Sequence, residues 1–115
     1  MGAQSTPVLT LSRVASGAIV ANRFVTVANA QAGADANALG VSVSAAVAGE
    51  VVPVDVIGST IVEAGAAVAA GATVKSDASG RAITWAPAGA KVGVALDAAT
   101  AAGQMIEVLL IPNVA

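Results

Sequence analysis

Seven carboxylates are the side chains of this sequence best suited to acid–base work: Asp35, Glu50, Asp55, Glu63, Asp77, Asp97 and Glu107. Two of them brought together by a fold could act as a general acid and base. They are scattered rather than paired, and the reading expected for each is a solvated rim charge. Histidine and cysteine are both absent. The commonest general base and metal ligand is therefore missing, and so is the thiolate nucleophile. Serines without an imidazole form no catalytic triad, and no Gly-x-Ser-x-Gly elbow occurs. There is no Gly-x-x-x-x-Gly-Lys-Ser/Thr phosphate loop and no Gly-x-Gly-x-x-Gly after a strand. Asp77 and Gly80 do not match a calcium loop, which alternates oxygen-bearing side chains. No catalytic, cofactor-binding or metal-ligating residue can be named, and no small-molecule substrate is implied.

The residues that could carry a contact are different. Phe24 and Trp85 are the only aromatics. Phe24 reads as a core anchor. Trp85 reads equally as core or as interface, because Pro87 and Gly89 beside it suggest a surface loop. The first dozen residues hold the alternating "VLTL" (Val8–Leu11) behind Pro7. They form either an ordinary edge strand or an arm that pairs with a strand of a neighbouring protein. Pro7, Val8, Leu9, Leu11 and Trp85 are thus the interface candidates.

Composition sets the frame. The 115 residues fit one domain, with 1–12 as arm or edge strand and 13–115 as the body. The apolar fraction is 57%, but alanine supplies 30 residues and valine 19, so the core is broad and thin. Such a chain gains from oligomerisation or from docking on a larger surface. Five basic residues face seven acidic ones without clustering, which argues against nucleic-acid binding. No stretch approaches the roughly 20 apolar residues of a membrane span. The N-terminus does not read as a signal peptide. Its "MGAQST" matches the myristoylation pattern at Gly2, but an ordinary polar start is the favoured reading.

The elements that position these residues are strands. Glycines fall too often for helices of ordinary length, although alanine favours helix. "FVTVA" (Phe24–Ala28), "GVSVS" (Gly40–Ser44), "VPVDV" (Val52–Val56) and "KVGVALD" (Lys91–Asp97) have the period of two that a half-buried strand needs. "MIEVLLI" (Met105–Ile111) is a further strand, ended by Pro112. "DASG" (Asp77–Gly80) predicts a hairpin turn, with Lys75 and Arg81 as solvated charges beside it. Asp97–Gly103 allows one or two helical turns, capped by Asp97 and stopped by Gly103. An internal repeat lays Leu39–Ile57 over Val92–Leu110 and Gly17–Val27 over Gly65–Ser76, giving half-repeats 17–57 and 65–110. The fold expected is all-β: a small barrel or sandwich of short strands.

The segment Val62–Asn113 resembles a family of small tailed-phage capsid decoration, or cement, proteins. It shares a Gly-x-x-Val-x-x-Gly run, an Asp-x-x-Gly hairpin, a "VGVALDAA" strand and a final "G-x-x-I/V-x-V-L-L". "VLTL" at the front is compatible. Sequences of this kind have also carried a RecA/RadA-like recombinase label, which the missing phosphate loop and basic surface contradict. The resemblance implies a protein made in the bacterial cytoplasm that coats the outside of the virion head. It would bind the phage major capsid protein across subunit junctions, often as a homotrimer, without nucleic acid, membrane or cofactor. A self-assembling shell, tube or fibre component is the alternative. A lipoyl-type carrier fits poorly, because Lys75 lies before the "DASG" turn and not on it.

Overall fold

The computed structural model describes residues 4–111. Gly2 and Pro112, and with them the myristoylation pattern and the proline stop, lie outside the described residues. Eight strands follow one another: β1 (Thr6–Val14), β2 (Phe24–Val25), β3 (Gly40–Ser42), β4 (Val51–Glu63), β5 (Thr73–Ser76), β6 (Ala82–Thr84), β7 (Gly93–Ala95) and β8 (Met105–Leu110). They form one antiparallel sheet in the order β2-β3-β4-β8-β7-β5-β6, with β1 also on β4. The ends of that path meet where the Phe24 N–H donates to the Gly80 carbonyl at 2.8 Å. The sheet is therefore a nearly closed barrel.

β4 organises the molecule. Val54 lies opposite both Leu11 and Ser42, and Ser59 opposite both Thr6 and Leu109. A strand residue has only two lateral neighbours, so β1 occupies one edge of β4 while β3 and then β8 share the other. Leu9 faces Ile57 but Thr10 faces Asp55, which leaves Val56 as an extra, bulged residue. One extra residue exchanges the two faces of a strand. Before the bulge Val52 and Val54 enter a small cluster with Ala15, Ile19, Val25 and Ala46. After it Val62 enters the larger cluster with Phe24, Val74, Ile106 and Val108. Phe24 and Val25, consecutive on β2, bury into the larger and the smaller cluster respectively. Each such side chain contributes roughly 1.5–3 kcal/mol, and alanines fill the space between.

The expected strands are present with different bounds. β2 stops at Val25 because the Thr26 N–H turns to the Ala30 carbonyl and Asn29 takes φ 64°. β4 is longer than its alternating stretch and runs 13 residues. The Asp77 carboxylate accepts the Ser79 and Arg81 N–H groups at 2.8 Å, and Gly80 has φ 76°, as the hairpin requires. Residues 97–103 contain no helix. Asp97 does not cap one; its carboxylate accepts the Glu107 N–H at 3.1 Å, while Ala99 bridges Val68 and the Gly103 N–H reaches the Ala64 carbonyl. Cross-chain bonds win because a segment this short does not nucleate a helix alone.

Bonds recur between the halves. Ile19 exchanges main-chain hydrogen bonds with Ala46, and Val68 with Ala99. The Gly49 N–H reaches the Ala15 carbonyl, and the Gly103 N–H reaches that of Ala64. Glu50 Oε1 accepts the Val47 N–H, and Gln104 Oε1 accepts the Thr100 N–H.

Candidate docking surface

The charged side chains find their partners within the fold. Glu63 lies between two guanidiniums, 3.1 Å from Arg23 and 3.5 Å from Arg81, and Arg81 also meets Asp77 at 3.1 Å. Arg23 donates further to the Ser79 carbonyl. This cluster ties β2, the end of β4 and the β5–β6 turn together where the barrel closes. Lys75 pairs with Asp35 at 2.7 Å, so neither Lys75 nor Arg81 is the merely solvated charge the sequence suggested. Asp55 is 3% exposed and accepts the hydroxyls of Thr10 and Thr60 at 2.7 and 2.8 Å. That bond fastens β1 to the barrel. Ser59 donates to Glu107 at 2.6 Å. With Glu50 and Asp97 bonded as above, all seven carboxylates have partners within the chain; Asp35 and Glu50 remain exposed at the rim, as expected, and the other five are at least half-buried. Among the cations, Arg13 donates to Asn29 at 2.7 Å, and Lys91 stands 4.5 Å from the Trp85 ring centroid. Each carboxylate so engaged fastens one segment of the chain to another. Among the described residues no group of three or more His, Cys, Asp or Glu side chains gathers as a metal site.

Twelve large aliphatic or methionine side chains lie exposed among the described residues. Val8 is 73% exposed on β1, and Leu9 and Val14 are exposed on the same strand. Val51 and Ile57 are exposed on β4, opposite Val14 and Leu9 in the register. Directly opposed residues share a face, so Val14 and Val51, and Leu9 and Ile57, form paired apolar contacts open to solvent. Leu96, Met105 and Leu109 form a second exposed set at β7 and β8. Of the predicted interface residues, Pro7, Val8, Leu9 and Leu11 lie together on β1; the first three are exposed and Leu11 half-buried. β1 is an edge strand paired with its own β4. Trp85 lies apart on the loop after β6, half-buried, with its Nε1–H donating to the Gly89 carbonyl at 3.0 Å. Val14, Val51 and Ile57 were missed by sequence reasoning, which reads a valine or isoleucine in a strand as core. The register supplies the missing information.

The structure defines a small, nearly closed β-barrel whose charges find partners within the chain and whose outer strands expose aliphatic side chains. Comparison with known proteins gives this class its family. The phage cement protein profile matches residues 3–110, and the chain belongs to that family. Among solved structures it is similar to the N base of the head fiber gp8.5 of bacteriophage phi29. The TM-score is 0.74 at 16% identity, covering 90% of this chain and 94% of that one. At this identity the likeness speaks for the fold. A comparison with curated protein sequences finds no match.

Proposed function

We propose that this protein coats the outer surface of a phage head, seated as a homotrimer across junctions between major capsid subunits, and stabilises the shell. The observation that carries the reading is the combination of charges partnered within the chain with exposed aliphatic strands. A free-standing globule usually shows the opposite arrangement. A ligand that binds only the assembled lattice stabilises that lattice by mass action, and many symmetric sites multiply a modest contact. Pro7, Val8, Leu9 and Leu11 are contact residues in this reading, and Trp85 is a further one. The test adds purified protein to expanded heads that lack it. Saturable occupancy and a higher temperature of head disruption are expected. Absence of binding at micromolar protein overturns the reading.

A further inference from the structure

Among the described residues β1 presents an unfilled main-chain edge, and the ladder shows which groups it offers. The Ala15 N–H donates to the Glu50 carbonyl, and the Ala15 carbonyl accepts the Gly49 N–H. Antiparallel pairs alternate between bonded and non-bonded residues. Arg13 and Leu11 therefore direct their backbone groups to β4, while Val14, Ser12 and Thr10 direct theirs away from it. The partner strand agrees, because the Pro53 carbonyl, opposite Ser12, is taken by the Val43 N–H on the β3 side. The window is bounded at both ends. Beyond Val14, the Ser16 N–H donates to the Asn29 carbonyl at 2.9 Å. Before Thr10, the register breaks at the bulged Val8. The chain covers the matching edge elsewhere. On β4 the Ile61 carbonyl accepts from the Asn22 side-chain amide and the Glu63 N–H donates to the Asn22 carbonyl, both at 3.1 Å. Ala64 takes the Gly103 N–H as Ala15 takes the Gly49 N–H, so Ile61 and Glu63 stand where Ser12 and Val14 do, for which no such cover exists among the described residues.

Resting on the capsid-binding reading above, we infer that the Thr10–Ser12–Val14 edge receives an extended, uncharged segment of the shell protein, added as a strand beside β1. Charge selects this occupant. The window carries one charged residue, Arg13, and its guanidinium is drawn to Asn29. The neighbouring exposed side chains are Val14, Val51, Leu9 and Ile57, so an acidic or basic segment would lose hydration without gaining an ion partner. Main-chain bonds supply the attachment, and alternate apolar side chains supply the fit.

The test is Ser12→Pro. Proline removes the outward N–H and adds bulk there, yet an edge strand tolerates it on its open side. The variant should keep the wild-type melting profile and oligomeric state, and bind expanded heads at least about tenfold more weakly, the effect of roughly 1.4 kcal/mol. Wild-type binding by a folded Ser12→Pro overturns the inference and leaves the capsid reading standing. A change of oligomeric state overturns it too, because the edge then belongs to a second copy. If wild type itself does not bind heads, both fall. Should the variant misfold, amide exchange on wild-type protein decides. The Ser12 and Val14 amides should exchange freely in solution and become protected on heads; unchanged exchange on saturated heads overturns the inference.

Discussion

Glu63 shows most clearly what single charged residues do in this protein. Its carboxylate holds Arg23, whose side chain is 14% exposed, and Arg81, at 29%. Glu63→Gln keeps the shape and removes the charge facing both. Arg81 retains Asp77, but Arg23 loses its carboxylate in a place where water reaches poorly. Hydrogen bonds to charged groups contribute about 1.5–3 kcal/mol. Glu63→Gln should lower stability by about 2 kcal/mol, read as a lower urea midpoint at an unchanged slope. An unaltered midpoint would show that solvent replaces the ion pairs. Nothing in the sequence marked this pairing, because Arg23 and Glu63 are 40 positions apart. The nearest counterpart, Asp77 with Arg81, is local and lies in the turn that sequence did identify.

At the scale of elements, close approach between strands replaces side-chain bulk. Gly93 opens β7, and a Cβ there would stand 2.6 Å from Val108 Cγ1 and 2.7 Å from the Leu109 carbonyl oxygen. Gly40 opens β3 in the corresponding place, and a Cβ on it would meet the Asp55 carbonyl. The sequence alignment of the halves set these two glycines over one another; the reason emerges only when the neighbouring strand is in place. Gly17 meets nothing within 4 Å. Gly93→Ala should therefore cost about 1–3 kcal/mol by overpacking, whereas Gly17→Ala should be neutral or stabilising by about 0.4–1 kcal/mol. Paired thermal melts check the contrast, and equal effects would refute the close-packing account of β7.

For the whole molecule, the distribution of charge governs how it meets a partner. Ion pairs across an interface weaken as the Debye length falls from about 10 Å at 0.1 M salt to about 3 Å at 1 M. Each of this chain's twelve charged side chains has a partner within the chain, and seven of its valines lie exposed among the described residues. Occupancy of heads should thus be unchanged between about 0.1 and 1 M sodium chloride, and sulfate should strengthen it by favouring apolar burial. Titrations of labelled protein onto heads at the two salt concentrations measure this. A tenfold loss of affinity at high salt (about 1.4 kcal/mol) would mean that the ion pairs open on docking and serve the interface instead.

Sequence alone determined the strand-dominated class, the turn at Asp77–Gly80 and the lack of reactive groups, because these depend on local periodicity, local turn chemistry and residue type. It did not determine the bounds of β2 and β4 or the absence of a helix at 97–103, which are decided by hydrogen bonds to distant segments. Nor did it determine the fate of the charges, or which valines are buried and which lie outside. Those follow from register. A side chain alternates faces every residue, and the bulges at Val8 and Val56 shift the pairing of β1 with β4, so only the three-dimensional pairing tells which cluster, or solvent, each side chain meets.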